Sequence, residues 1–304
     1  MLGRLGIDPF KSATPYFRIS AASVLVMGIL LLWTENVWIA AFAGAAQCPT
    51  DHDFYGDLRM SDCLTVVIPV YNEGANFRTL WADLVSQIRS RFIAFVVYDF
   101  PEDDTIPVAR DIVATGENRI RLLQNNKGRG VVGAILTGFN QIEHGPVLVV
   151  MADSSDDLSR VEEMLNWYWK GYHIVVGSRY MKGGGIEGGP WVKQALSRLA
   201  GLSLYWLRGL PTHDATNAFK IYDRDILRLF PIESRGGFEL NLELTVKAYL
   251  VGCAIAEVPC CWKDRTYGKS HFKLWAWLPR YMRWYLYAFR PRRRSRFLRD
   301  PIVT

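Results

Sequence analysis

Leu64-Thr65-Val66-Val67-Ile68-Pro69-Val70-Tyr71-Asn72-Glu73-Gly74 is the stretch that decides the fold. Its first seven residues are apolar or β-branched without alternation, the pattern of a strand buried on both faces in a parallel sheet. Tyr71 to Gly74 reads as a turn, and Phe77, Leu80, Leu84 and Ile88 follow at helical spacing. The alternation then repeats. Residues 92–98 form a second strand closing on an acidic loop, 99–104; 107–115 is helical and 120–124 a strand. A glycine-rich turn opens the helix of 128–138, and the strand of 147–151 closes on Ala152-Asp153-Ser154-Ser155-Asp156-Asp157. Residues 161–169 are helical, and the strand of 174–177 closes on Ser178-Arg179-Tyr180. Repeated strand–helix units imply an α/β class: a mostly parallel, doubly wound sheet with flanking helices and right-handed crossovers. Ligands of such a sheet sit beyond the carboxyl ends of its strands, where the acidic loops lie.

Composition sets the outer limits. The chain has 304 residues, half of them hydrophobic and 22% charged, which excludes disorder. A mean hydropathy of +0.03 excludes a multi-span transporter. Net charge is +6, and 11 Trp, 14 Tyr and 15 Phe suit a surface that touches membranes or sugars. Five cysteines without CxxC spacing give neither a zinc site nor a disulfide framework. They read as buried thiols in a reducing compartment.

Three parts follow along the chain. Residues 1–59 are an apolar appendage, either membrane-associated or lying before a true start at Met60. Its main apolar run, 19–33, is shorter than the roughly 20 residues that span a bilayer, and Glu35 interrupts it. Its charge flanks would direct the rest of the chain outward. Residues 60–271 are the α/β domain. Residues 272–304 place Leu274, Trp277, Leu278, Tyr281, Trp284, Tyr285 and Ala288 on one helical stripe, followed by Arg290, Arg292, Arg293, Arg294, Arg296 and Arg299. That combination reads as an amphipathic helix in the membrane interface; the competing reading packs it on the domain's own core. A basic tail at the terminus, beside Trp-rich sequence, argues against a nucleic-acid partner.

At the strand ends, Tyr71 and Glu73 suit stacking on a base and hydrogen bonding to base or ribose. Acidic loops at Asp99 and at Asp153, Asp156 and Asp157 would repel one another unless a cation shares the site. Asp157 alone reads as a solvated helix-start carboxylate. Arranged in this order, the residues resemble the family-2 glycosyltransferases of GT-A, Rossmann-like fold, and most of all their polyprenyl (dolichol) phosphate mannosyl- and glucosyltransferase branch. The likeness covers about Leu64 to Tyr285. It rests on Pro69 to Glu73; Asp99 with Asp103 and Thr105; Asn126-Lys127-Gly128-Arg129-Gly130; Met151 to Asp153; and Gly177-Ser178-Arg179-Tyr180. It continues through Gly183-Gly184-Gly185, Ser197-Arg198, Asp214-Ala215-Thr216-Asn217-Ala218-Phe219, Gly237-Phe238-Glu239, Glu257-Val258-Pro259 and Asp264-Arg265 with Gly268-Lys269-Ser270.

The resemblance implies an inverting transfer of mannose or glucose from a GDP- or UDP-sugar to a polyprenyl phosphate at the cytoplasmic face of a membrane. It assigns the donor to Pro69, Tyr71, Glu73 and Asp99, with Arg129 near the donor phosphate. Mg²⁺ or Mn²⁺ goes to Asp153 with Asp156, and the acceptor phosphate to Arg179, Lys193, Ser197 and Arg265. Asp153, Arg179, Asp214 and Arg265 form the expected catalytic group. A phosphate acceptor is already anionic, so the work is alignment and relief of phosphate–phosphate repulsion. The chain departs from the family pattern at Met151, where the first Asp of an Asp-x-Asp metal motif is expected, at Tyr98-Asp99-Phe100-Pro101, and at His271. Asp214 reads as an orienter of Arg or Lys side chains, or as base for a hydroxyl acceptor on a glycan or glycolipid. A non-catalytic nucleotide-sugar binder is the remaining reading. The glycines of 183–189 read as a mobile loop over the acceptor, and His213 as a loop residue.

Overall fold

The computed structural model describes residues 63–264 and 274–292. Residues 1–59 and the arginines from Arg293 onward, on which expectations were placed, lie outside the described residues, as do Arg265 and His271. The first half runs β1 (Leu64–Val70), α1 (Gly74–Gln87), β2 (Phe92–Tyr98), α2 (Thr105–Ala114), β3 (Ile120–Gln124), α3 (Val131–Asn140), β4 (Pro146–Val149), α4 (Val161–Trp169) and β5 (Ile174–Ser178). The second half runs β6 (Gly185–Glu187), α5 (Trp191–Arg208), β7 (Lys220–Asp223), α6 (Glu239–Val251), β8 (Ile255–Pro259), β9 (Cys261–Lys263) and α7 (Leu274–Tyr287).

The main sheet has seven strands in the order β3-β2-β1-β4-β7-β5-β8. All its pairings are parallel except those of β7, which runs antiparallel to both β4 and β5. Helices cover both faces, which is why β1 carries no charged side chain: every one of its residues is buried. Val67 belongs to the buried cluster on one face, with Phe139, Leu240 and Trp284; Val66 and Ile68 belong to the cluster on the other, with Phe77, Leu84 and Met164. The strand order reverses between β1 and β4, and such a switch point opens a crevice at the carboxyl ends. Because β7 is reversed, its first residue and the loop that feeds it lie on that same rim.

The starts and ends of the first five strands agree with the sequence pattern to within a residue or two. The second half differs. The 183–189 glycines are not merely a loop: β6 pairs in parallel with β9, with Gly185↔Cys261 and Glu187↔Lys263 in register. Helix α7 packs on the domain's own core, the competing reading of this segment. Trp284 and Ala288 are buried in the core, and the Trp284 Nε1 donates to Ser234 Oγ at 3.1 Å. Its other side turns Met282, Leu286 and Phe289 outward. Next to it lies α5, joined by Tyr285 Oη to Ser203 Oγ at 3.0 Å and by Arg208 Nε to the Ala288 carbonyl at 2.8 Å. Helix α5 exposes Trp191 and Trp206 at 77% each, and Leu199 and Leu207 at 66% each. No helix among the described residues is long and apolar enough to cross a membrane.

Trp284→Ala is expected to lower stability by about 3–5 kcal/mol through loss of a packed ring. Leu286→Ala, on the outer side, should change it by about 0.5 kcal/mol or less. Denaturant midpoints of the two full-length variants test the division of the helix into an inner and an outer face.

Candidate active site

The rim begins where β1 ends. Asn72 turns the chain with φ 51, and the residues after it are tied to the loop that follows β2. Asn72 N donates to Asp103 Oδ2 at 3.1 Å, Glu73 N to Thr105 Oγ1 at 3.0 Å, and Gly74 N to Asp104 Oδ1 at 2.8 Å. Two of the four acidic residues of that loop, Asp103 and Asp104, therefore hold the β1–α1 turn. Asp99 does similar work one strand over. It accepts from Asn125 Nδ2 at 2.6 Å and from Gly130 N at 2.8 Å, which fixes the glycine-rich loop at α3. Gly130 has φ 103, a conformation only glycine adopts without strain, so this close approach of amide to carboxylate depends on it. Tyr71 remains exposed, edge-on to Phe100 at 5.6 Å, and Arg129 is exposed in the same loop as Gly130.

Beside β1, the strand β4 delivers the next carboxylates. Asp153 is buried and accepts from Ser155 N at 3.2 Å; Asp156 accepts from Met151 N at 3.0 Å. Burial pushes the Asp156 carboxyl up to about 7, the Met151 N–H opposes the rise, and the Asp153 charge adds to it. Ser154, at φ 56, has a buried hydroxyl with no partner. Two close carboxyls, one held near neutrality, and an orphaned hydroxyl form an oxygen-donor set. It fits a hard divalent cation that completes its shell with substrate oxygens. The Met151 sulfur does not suit such an ion. Asp157, part-exposed at the start of a helical turn, also accepts from Cys261 N at 3.1 Å and so holds β9.

Opposite stands a cationic group. Arg179, at the end of β5, donates through Nε to Asp214 Oδ2 at 2.6 Å and through Nη2 to Asp214 Oδ1 at 2.9 Å. Its backbone N–H also reaches Asp214 Oδ2, at 3.1 Å. Asp214 is fully enclosed, on the loop entering β7. Burial works against the Arg179 charge, and the adjacent Asp214 carboxylate more than restores it. Arg179 Nη2 also donates to Ser197 Oγ at 3.3 Å, and Ser197 bonds Thr216 Oγ1 at 2.7 Å. Ser197 and Lys193 stand one helical turn apart on α5, which places them on one face. The helix approaches so closely that a Cβ on Gly201 would stand 2.0 Å from the His213 carbonyl. The positive charge of Arg179 acts on Asp156 and opposes the rise of its carboxyl.

Glu73, Asp99, Asp153, Arg179 and Asp214 thus share one rim with Pro69, Tyr71, Ser197 and Lys193 close by. Sequence reasoning gave no partners to His213, Thr216 or Lys220. His213 lies in the loop before Asp214 and is braced there. Its Nδ1 lies 2.5 Å from Glu257 Oε1, its ring stacks on Tyr205 at 4.0 Å, and Glu257 Oε2 accepts from His213 N at 2.8 Å. Thr216 completes the Ser197 contact. Lys220 lies fully buried directly behind Asp214. Glu257 and Thr216 stood in the recognised motifs, but nothing in their spacing revealed their partners.

Residues 65–230 match the family described as Glycosyl transferase family 2. Polyprenol monophosphomannose synthase of Mycolicibacterium smegmatis is 30% identical over 211 residues, covering 67% of this chain and 79% of that protein. Dolichol-phosphate mannosyltransferase of Pyrococcus furiosus is 26% identical over 219 residues, covering 69% of this chain and 59% of that protein. Among solved structures, glucosyl-3-phosphoglycerate synthase of Mycobacterium tuberculosis, with Mn²⁺, uridine diphosphate and phosphoglyceric acid, shares the fold. Its TM-score is 0.56 at 16% identity, over 75% of this chain and 78% of that one.

Asp214→Ala leaves Arg179 charged and unpaired in the interior, at a cost of about 3–5 kcal/mol. Removing both charges, as Arg179→Met with Asp214→Leu, should recover most of that stability while leaving the rim without its cation. Unfolding midpoints of the single and double variants check this; equal losses in both would show that the pair is not the source.

Proposed function

The chain belongs to glycosyl transferase family 2, in the branch of the polyprenyl phosphate mannosyltransferases, and from that premise we propose that it moves a hexose from a nucleotide sugar to a polyprenyl phosphate. Mannose is the sugar named for both curated relatives and is the first candidate here. The observation that carries the reading is the enclosed Arg179–Asp214 pair. Asp214 is fully enclosed, its Oδ2 accepts from Arg179 Nε and N, and its Oδ1 accepts from Arg179 Nη2 and Thr216 Oγ1, so no lone pair is left open to a hydroxyl proton, as a hydroxyl acceptor would require. A guanidinium held rigid and charged is instead suited to a phosphate, which needs no base.

In this reading Tyr71 stacks on the nucleotide base, and Glu73 and Asp99 accept from base or ribose at the ends of β1 and β2. Asp153 and Asp156 would hold Mg²⁺ or Mn²⁺, whose chemistry is to offset charge on the leaving diphosphate. Arg129 adds a positive charge on the donor side. Arg179, Lys193 and Ser197 seat the acceptor phosphate, with Arg265 assigned to the same group. The phosphate oxygen then attacks the anomeric carbon in line, the sugar–diphosphate bond breaks, and configuration inverts. Asp214 orients Arg179 and takes no proton. The rate advantage comes from alignment and from fixed charges already in place.

The lipid acceptor places the protein on a membrane surface, and the two-helix face supports this. Trp191, Leu199, Trp206 and Leu207 on α5 and Met282, Leu286 and Phe289 on α7 present apolar and aromatic groups. Arg290 and Arg292 stand exposed next to them. This is the composition of an interfacial anchor on an anionic leaflet. Donor supply assigns it to the cytoplasmic face.

With GDP-mannose, UDP-glucose and a panel of related donors, one labelled hexose should become lipid-extractable in the presence of polyprenyl phosphate and Mn²⁺. Arg179→Ala is expected to reduce kcat/KM by about 10²-fold or more. Transfer to sugar hydroxyls with polyprenyl phosphate inert would overturn the acceptor assignment. Separately, Leu199→Asp with Trp206→Asp should weaken binding to anionic vesicles by about tenfold or more in a sedimentation assay. Unchanged sedimentation would remove α5 from the membrane contact.

A further inference from the structure

Lys220 opens β7 at the rim and is fully enclosed, with no carboxylate bonded to it. Its Nζ donates to the carbonyl of Ala215 at 2.8 Å and to that of Asn241 at 3.2 Å. Ala215 follows Asp214 directly, and Asn241 lies in the first turns of α6. One ammonium therefore joins the loop that carries Asp214 to the helix beneath it. The neighbouring strands place Val149 and Val176 opposite Lys220 in register, and α6 presents a carbonyl. The charges that act on it among the described residues are Asp214, from the loop, and Arg179, from the end of β5. Arg179 and Asp214 cancel. A protonated Lys220 leaves these three side chains with one positive charge in excess, and among the described residues no carboxylate is bonded to Lys220 to offset it.

We propose that Lys220 is a positioning residue and the titratable counter-charge of the acceptor cradle, taking up a proton from solvent when a phosphate monoester binds to Arg179. The assignment rests on the acceptor reading given above. Geometry gives the reason: an anion on the far side of the Arg179–Asp214 pair compensates the excess charge, so anion and proton favour each other. Burial lowers the Lys220 ammonium to about 7, with Asp214 opposing the drop and Arg179 adding to it. The amine of the free protein is thus largely neutral at pH 8 and charged below 7. The sign for folding follows. The folded chain binds fewer protons than the unfolded chain between about 7 and 10.5, so stability tied to this group rises with pH across that window. Phosphate binding runs the other way, weakening as pH climbs.

The test is calorimetry of farnesyl phosphate binding to the full chain at pH 7 and pH 8, in two buffers of different ionisation enthalpy. At pH 8 this ligand is already doubly ionised, so its own titration supplies no uptake. The unaltered protein should take up close to one proton at pH 8 and bind about fivefold more weakly there than at pH 7. Lys220→Met should take up none and bind at least about tenfold more weakly at pH 7. Lys220→Arg, permanently charged, should also take up none while keeping its affinity at pH 8. Should one variant fail to fold, the other still reports the proton count. A merely structural lysine would alter unfolding midpoints in both variants without changing the proton count of either. Uptake persisting in Lys220→Met would assign the proton elsewhere, His213 being the nearest alternative, and would overturn the proposal. Binding by the unaltered chain without proton uptake would overturn it too, leaving the acceptor reading intact. Failure of the unaltered chain to bind farnesyl phosphate would remove both.

Discussion

Arg179 stands at the end of a buried strand, where a free guanidinium would be costly, and it stays charged there because Asp214 meets it with both carboxylate oxygens. Topology makes that meeting possible. β5 runs toward the rim and β7 runs away from it, so the end of one and the approach to the other converge. Had β7 joined the sheet in parallel, the loop carrying Asp214 would lie at the opposite edge. One reversed strand in an otherwise parallel sheet thus supplies the cation facing the carboxylates of β1, β2 and β4.

The carboxylates themselves divide by environment. Asp103, Asp104 and Asp157 are consumed by backbone amides and build the loops, and Asp99 fixes the glycine-rich turn. Asp153 and Asp156 are crowded together next to an unsatisfied hydroxyl, and their mutual repulsion is what a cation would relieve. Counting acidic residues therefore overstates how many carboxylates are available to a ligand, because several are committed to holding the loops.

How much of this was legible in the sequence depended on burial. Strands β1, β2 and β4 announce themselves because both faces are covered, so no charged residue breaks the run. β7 is barely longer than a turn and carries a lysine inward, while α6 buries Glu239, Asn241, Glu243 and Lys247 among its leucines. Period and polarity therefore conflict, and neither element could be read. The same holds at the site. Motif spacing located Arg179, Ser197 and Asp214. The contacts of Lys220 and the Glu257–His213 brace join residues far apart in sequence, and only the folded chain brings them together.

Helix α5 works on both sides. Its inward face contributes Ser197 next to Arg179, and its outward face offers tryptophans and leucines to the surroundings. A lipid head group would then need to travel only the thickness of one helix to reach the cradle, with its tail left behind in the bilayer. Discrimination would fall on the phosphate and the first few carbons. Isoprenoid length would go unmeasured, and carriers of different organisms would serve alike.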